Sequence, residues 1–164
     1  MPCSVHRTIT MLGIFLLAIG CAPATGQRMS PAVTSARQVV NAPGIAPLVA
    51  AYSVEIRAGD QVFVSGLTGF RPGTQDIVDG GIGPQTRQTL ENIRAVLLAA
   101  GATMTDVFEC TVFLVDMADY AAMNAVYIEF FRVDPPARAT LAVTALPRPA
   151  ARVEIKCSAQ IARR

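Results

Sequence analysis

Hydrophobic and polar positions alternate in residues 51–66, AYSVEIRAGDQVFVSG, and this alternation predicts a β-hairpin. A period of two is typical of strands that bury one face, and Gly59 followed by Asp60 is typical of a two-residue turn. We therefore expect two antiparallel strands on either side of Gly59-Asp60. The next stretch, residues 67–83, is rich in Gly, Pro and Asp and indicates a loop.

After Pro84 the period becomes that of a helix. Apolar residues recur three and four positions apart, which predicts one buried helical face. Pro84 suits the first helical turn, and Gly101 suits the position just beyond the helix. The expected buried face consists of Leu90, Ile93, Leu97 and Ala100.

The rest of the chain alternates between strand and helix patterns. Residues 106–116 are β-branched and aromatic, as in a buried strand, and Asp119 is placed to cap a second helix. Two more strand patterns, 138–145 and 152–161, follow the two prolines at 135–136. The resulting order, ββαβαββ, predicts one α+β domain whose helices cover one face of a sheet. The second helix is expected to pack its spaced apolar residues into the core: Tyr120, Met123, Tyr127 and Phe130.

The N-terminal segment is predicted to be an export signal. Residues 11–20 form an apolar run that is too short to span a membrane, and it ends in a pattern resembling a bacterial lipobox before Cys21. We expect a signal peptide over 1–20, an acylated Cys21 as the mature N-terminus, a linker and lead-in over 21–47, and the folded domain over 48–164. The protein is then an exported periplasmic or membrane-anchored lipoprotein.

Two other N-termini stay open. Cleavage after Ala24 or Gly26 leaves a soluble secreted protein. Translation from Met29 leaves a cytoplasmic protein without the apolar run.

The charge, histidine and cysteine content limits the partners and the catalytic mechanisms that we expect. Charged residues make up only 16% of the chain and the net charge is +2, which does not favour nucleic acid as a partner. The single histidine, His6, lies in the expected signal, so we expect no histidine-based triad, no metal site and no cofactor. Cys110 and Cys157 could form a disulfide, but both lie in apolar strand patterns, where free buried cysteines are expected.

Three positions stand out against this background. Arg138 precedes an apolar strand, Glu154 interrupts another, and Ser65-Gly66 closes VFVSG, where a glycine lets a ligand approach the backbone. Each also has a purely structural explanation. Arg138 can bind groups at a strand end, Glu154 can lie on a solvent-exposed strand face, and Ser65-Gly66 can form a strand-ending turn. The residues alone leave both interpretations open.

A longer stretch around these positions resembles a known family. PPARATLAVTALPRPAARVEIKCSAQIA, residues 135–162, is similar to the C-terminal signature of the RidA (YjgF-type) family of enamine/imine deaminases. The similarity runs back through VFVSG to Tyr52. The resemblance implies a chorismate-mutase-like protomer that assembles as a barrel-like homotrimer, with active sites in clefts between subunits.

The resemblance also implies a role for each matching residue. Arg138 matches the arginine that binds the substrate carboxylate, and Glu154 matches the glutamate proposed to activate the attacking water. The remaining matches close or frame the substrate cleft: Tyr52, Ser65, Gly66, Thr140 and Asn124. The chain departs from the family at Leu67, where Gln is common, and at Lys156, where a second acid is common. We expect Lys156 to pair with a nearby carboxylate.

The implied reaction is that of a 2-iminobutanoate/2-iminopropanoate deaminase. A 2-imino acid, formed from a 2-aminoacrylate-type enamine, is hydrolysed to a 2-keto acid and ammonia. An imine carbon is already electrophilic, so a positioned water and a held carboxylate are sufficient without a cofactor. The alternative is a non-catalytic homotrimer that binds small carboxylates in the same cleft.

Overall fold

A six-stranded sheet with two helices on one face forms the domain, in a computed structural model that describes residues 36–47 and 51–162. The strands lie in the order β1-β2-β3-β6-β4-β5, and all neighbours are antiparallel except β4 and β5. This arrangement confirms the α+β prediction. The elements are β1 (Arg37–Val39), β2 (Glu55–Ala58), β3 (Gln61–Thr68), α1 (Ile82–Ala99), β4 (Val107–Leu114), α2 (Tyr120–Phe130), β5 (Ala137–Ala142) and β6 (Val153–Gln160), with single 3-10 turns at Met104–Asp106 and Met117–Asp119.

The predicted hairpin is confirmed. Ala58 of β2 lies opposite Gln61 of β3, so Gly59 and Asp60 form the two-residue turn, and Gly59 has a φ of 64°. Such a left-handed conformation is open to glycine at little cost. The short strand β1, within the predicted lead-in, pairs with β2 and adds an edge strand that the pattern did not indicate.

The helix that follows begins and ends close to the predicted positions. Pro84 lies in its first turn, where a missing N–H costs no hydrogen bond. At its end, Gly101 adopts a φ of 81°, and its N–H donates to the Leu98 carbonyl while Ala102 N–H donates to that of Leu97. This pair of bonds is a Schellman motif, which satisfies the last carbonyls of the helix. No helix among the described residues is long and apolar enough to cross a membrane.

The core lies between the helices and one face of the sheet. The alternating residues Val153, Ile155 and Cys157 of β6 are at most 2% exposed, as are Ile93 and Leu97 of α1. Because successive side chains of a strand point to opposite faces, the other residues of β6 face away from the helices. That second face carries Glu154 and Lys156.

Asp119 occupies the predicted N-cap position of α2, but its side chain does not cap the helix. Its carboxylate instead accepts two hydrogen bonds from Arg152, at 2.8 and 3.0 Å. Asp119 is therefore at the predicted N-cap position, but its side chain does not form the predicted capping hydrogen bond. Of the four predicted apolar positions of α2, Met123 and Tyr127 are buried, whereas Tyr120 is 39% exposed.

Cys110 and Cys157 form a disulfide, so the expectation of two free cysteines is wrong. The two residues lie directly opposite each other on the antiparallel strands β4 and β6, with Cα atoms 4.2 Å apart. This register brings the two side chains together on the core face.

Reducing this disulfide is expected to lower the free energy of unfolding by about 4 kcal/mol, because the bond closes a long loop in the unfolded chain. The cysteines are 47 residues apart in sequence. Denaturant unfolding with and without a phosphine reductant measures the difference. The control is the Cys110→Ala/Cys157→Ala double variant, whose stability should not respond to the reductant. Equal stability of the wild-type chain in both conditions would contradict the prediction.

A second feature of the core is a buried acid, Glu55 on β2. It is fully buried, and neither carboxylate oxygen accepts a hydrogen bond from a described residue. Burial raises the pKa of Glu55 from its ordinary 4.5 to about 7, and the positive charge of Arg57 offsets part of this effect. The ionised form of Glu55 therefore destabilises the fold.

Glu55→Gln is expected to remove a pH dependence of stability. Because the folded pKa of about 7 exceeds the ordinary 4.5, stability from the protonated acid is full below pH 4.5 and is lost as the pH rises through 7. The loss amounts to roughly 3 kcal/mol. Denaturant unfolding is measured from pH 4 to 9. As the pH rises, the free energy of unfolding of Glu55→Gln should increase by this amount relative to that of the wild type.

The matched control for this measurement is Glu109→Gln, since Glu109 is an exposed glutamate of β4. Its pH profile should follow that of the wild-type chain. A difference between Glu55→Gln and wild type that stays constant with pH would rule out the buried carboxyl as the cause.

Candidate functional site

A cleft of about 360 Å³ lies beside the second half of β3 and the start of β6. Four of the residues selected from the sequence line it: Tyr52, Ser65, Gly66 and Glu154. We call it the Glu154 cleft. Its other lining residues are Ala46, Leu67, Thr68, Phe70, Pro147 and Arg148.

Glu154 is the acid of the cleft. It lies opposite Thr68 of β3 and Phe113 of β4, on the sheet face that the helices leave open. Burial raises the pKa of Glu154, and the positive charge of Arg148 counteracts part of that increase. A half-buried carboxylate with a raised pKa is suited to accept a proton from water.

Gly66 makes room for this carboxylate. The pairing of β3 with β6 shifts between Val64 and Leu67, so Ser65 and Gly66 form a bulge and the strand continues beyond them to Thr68. A Cβ on Gly66 would lie 2.7 Å from Cδ of Glu154. Ser65-Gly66 is therefore not a strand-ending turn, and the glycine accommodates an acid of the same chain.

Ser65 holds the segment that carries Tyr52. Its hydroxyl donates to the Ser53 carbonyl at 2.8 Å, and its N–H donates to the Val54 carbonyl at 2.8 Å. These bonds tie the chain just after Tyr52 to the bulge. Tyr52 is 42% exposed at the rim of the cleft.

Arg138 lies outside the Glu154 cleft. It is opposite Cys110 in the β4–β5 register, so its side chain is on the helix-covered face of the sheet. The guanidinium carbon lies 4.5 Å from the ring centroid of Tyr127 and 5.7 Å from that of Tyr120. Nη2 of Arg138 also donates to the Tyr120 hydroxyl at 3.1 Å. Both rings provide electron-rich faces for the cation.

Thr140 and Asn124 belong to the same side of the sheet as Arg138. Thr140 lies opposite the buried Val112 on β4, and Asn124 lies on α2, about one turn from both tyrosines. One protomer thus divides the selected residues into two groups on opposite sheet faces. The structure joins Tyr52, Ser65, Gly66 and Glu154, and it separates them from Arg138, Thr140 and Asn124.

Arg148 is a residue of the cleft that no sequence pattern indicated. This residue is 8% exposed, lines the Glu154 cleft, and packs its guanidinium 4.7 Å from the ring centroid of Phe70. It donates to the Gln75 carbonyl at 2.7 Å. The sequence feature that could have indicated Arg148 is its position between two prolines in LPRPAA, just before the strand of Glu154.

The two departures from the family pattern have different environments. Leu67 is 3% exposed and lies opposite Ile155, on the core side of the cleft wall. Lys156 is exposed and forms no salt bridge with a carboxylate of the described residues, so the expected ion pair is absent there.

Comparisons with known proteins agree with this architecture. The sequence model of the family described as Endoribonuclease L-PSP matches residues 41–161. A RutC family protein of Pyrococcus horikoshii is 48% identical over 97 residues, covering 59% of this chain and 77% of the relative. The 2-iminobutanoate/2-iminopropanoate deaminase of Rattus norvegicus is 34% identical over 123 residues, covering 75% and 89%.

A solved structure gives the same result for the fold. The crystal structure of RidA from an Antarctic Psychrobacter superposes with a TM-score of 0.71 at 35% identity, covering 76% of this chain and 99% of that one. The described domain therefore has the chorismate-mutase-like α+β fold of these neighbours.

The relatives contradict the expected signal peptide, lipoprotein anchor and periplasmic location. Besides the rat deaminase, they include Reactive Intermediate Deaminase A, chloroplastic, of Arabidopsis thaliana, which is 33% identical over 153 residues, or 93% of this chain. These relatives are named as a chloroplastic protein and a mammalian deaminase and give no support to a signal peptide, a lipid anchor or a periplasmic location, so that prediction is wrong. The segment 1–20, Cys21 and Met29 lie outside the described residues.

Gly66→Ala is expected to displace the Glu154 carboxylate and to lower the free energy of unfolding by about 1 kcal/mol, because the new methyl group overlaps that side chain. The penalty should vanish in a Glu154→Ala background. Denaturant unfolding of the wild type, both single variants and the double variant gives the coupling energy.

Gly83→Ala is the matched control for that cycle, since a Cβ there meets only Val126 at 4.0 Å. It should leave the stability unchanged or slightly higher. A cost for Gly66→Ala that persists without Glu154 would show that the backbone, and not the acid, requires the glycine.

Proposed function

Since the chain belongs to the Endoribonuclease L-PSP family, which is the RidA (YjgF-type) family, we propose that it is a 2-imino acid deaminase. Its substrates are 2-imino acids formed from 2-aminoacrylate-type enamines, and its products are 2-keto acids and ammonia. The observation that carries the proposal is Glu154, a half-buried acid in a cleft of about 360 Å³. Relatives named 2-iminobutanoate/2-iminopropanoate deaminase support the substrate class.

The acid has a defined task in this reaction. The Glu154 carboxylate accepts a proton from a water molecule as the water oxygen bonds to the imine carbon and the C=N bond becomes C–N. Return of this proton to nitrogen gives the carbinolamine, in which one carbon carries an OH and an NH2 group. Transfer of the hydroxyl proton to nitrogen, again through Glu154, then lets the C–N bond break, so ammonia leaves as the C=O bond of the keto acid forms. Glu154 ends in its starting state, because every proton it accepts is returned.

Arg138 requires a second protomer in this scheme. It lies on the helix-covered face of the sheet, whereas Glu154 lies on the open face, so a single chain does not bring them together. We propose a homotrimer in which Arg138, Thr140 and Asn124 of one protomer complete the Glu154 cleft of the next. The Arg138 guanidinium then binds the carboxylate of the imino acid.

Two features of the protomer support self-association. β5 is an edge strand of the described sheet, and its Leu141 is 49% exposed on the same face as Glu154. Unpaired edges and exposed apolar side chains are common where subunits meet. Tyr120 and Tyr127 hold Arg138 at this edge, and burial raises the pKa of Tyr127 to about 12, against a smaller opposing effect of Arg138.

Arg138→Ala and Glu154→Gln are each expected to reduce 2-keto acid release by on the order of 100-fold or more, since each removes a group that contacts substrate or water. Freshly generated 2-iminopropanoate is the substrate, and release above the spontaneous rate is measured. Trimers assembled from equal amounts of the two variants should recover about one quarter of wild-type activity, because that share of clefts is intact.

The outcomes separate the competing assignments. No recovery in the mixed trimers would place both residues in one protomer and refute the shared cleft. Unchanged rates in Arg138→Ala would refute its carboxylate role. A wild-type chain without turnover, together with a Glu154→Gln variant that still binds keto acids, would favour the non-catalytic carboxylate-binding trimer.

A further inference from the structure

Arg148 is a buried cation that forms no salt bridge with a described residue. It is 8% exposed, and no carboxylate of the described residues lies within salt-bridge distance of it. Its guanidinium contacts the Gln75 carbonyl and the ring of Phe70. Burying an unpaired charge costs free energy, so a guanidinium in this position is expected to meet an anion.

The loop around Arg148 is held in place by α1. The Gln85 side chain donates to the Ala150 carbonyl at 3.1 Å and accepts from Arg152 N–H at 2.7 Å. Ala151 N–H also donates to the Arg148 carbonyl at 2.9 Å. These bonds fix the backbone that carries Arg148, which lowers the ordering cost when a ligand binds.

Most of the donors of Arg148 form no hydrogen bond with residues 36–47 or 51–162. A guanidinium has five N–H donors, and Nη1 is the nitrogen that donates to Gln75. The remaining donors suit the two oxygens of a carboxylate. The cleft volume of about 360 Å³ falls in the range of sites that take molecules larger than a three-carbon acid.

We propose that Arg148 forms a second anion subsite in the Glu154 cleft and that the preferred ligand is a 2-imino dicarboxylate. The distal carboxylate of this ligand binds Arg148, and the carboxylate beside the imine binds Arg138 of a neighbouring protomer. The dicarboxylate assignment rests on the proposed deaminase function, whereas the anion subsite itself rests on Arg148 alone.

The competing role of Arg148 is that of a counter-charge for Glu154. Arg148 acts on Glu154 through space, and the other groups that face this acid are Lys156 on its own strand, Tyr52 at the rim, and the neutral Thr68 and Phe113 on β3 and β4. A counter-charge would alter the pH dependence of activity without favouring one carbon chain over another. Ligand selectivity therefore separates the two roles.

The test compares 2-oxoglutarate with 2-oxopentanoate, which share a five-carbon chain and differ in the distal carboxylate. Isothermal titration calorimetry should show tighter binding of 2-oxoglutarate to the wild-type trimer. Arg148→Gln is expected to weaken 2-oxoglutarate by roughly 10- to 100-fold and to leave 2-oxopentanoate unchanged, because only the distal charge loses its partner. Arg148→Lys should retain part of the selectivity.

Arg94→Gln is the control, since Arg94 is a partly exposed arginine of α1 paired with Glu91 and outside the cleft. It should bind both acids as the wild type does. Retained binding of 2-oxopentanoate shows that Arg148→Gln is folded. Equal affinity of the wild type for the two acids, failure to bind either acid, or loss of both acids in Arg148→Gln and Arg148→Lys would overturn the subsite.

Turnover is measured separately as ammonia release from 2-iminopropanoate. A trimer that discriminates the two keto acids without releasing ammonia retains the subsite and refutes the deaminase. A trimer that releases ammonia but does not discriminate them refutes the subsite and retains the deaminase.

Discussion

The two faces of β6 impose the constraint on which the rest of this structure depends. Val153, Ile155 and Cys157 must face the helices, because they fill the core, and alternation then directs Glu154 to the open face. The same rule places Arg138, in register with Cys110, on the helix side. Core packing therefore places Glu154 and Arg138 on opposite faces of the sheet.

The cleft is made by a close approach between an acid and a backbone. Glu154 lies over Gly66, and the bulge at Ser65-Gly66 bends β3 so that the strand can continue past it. The Ser65 hydroxyl then anchors the segment of Tyr52. The bulge at Ser65-Gly66 thus positions both the Glu154 carboxylate and the Tyr52 segment of the cleft.

Buried charge has different consequences on the two sides of the sheet. Glu55 lies opposite Val64 on the core face and is fully buried, so its ionisation costs stability. The half-buried Glu154 and the buried Arg148 line an open cleft, where water or a ligand can compensate their charges. Burial of an ionisable group indicates function in this protein only where a cavity accompanies it.

Local patterns in the sequence determined the hairpin at Gly59-Asp60, the helix that ends at Gly101 and the α+β order, because turns, caps and periodicity depend on neighbouring residues. Glu154 and Gly66, which the resemblance named separately, lie next to each other in one cleft. Tertiary structure decided the Cys110–Cys157 bond, the Arg152 partner of Asp119 and the burial of Arg148. These depend on strand register and on contacts between residues far apart in sequence, which no local pattern records.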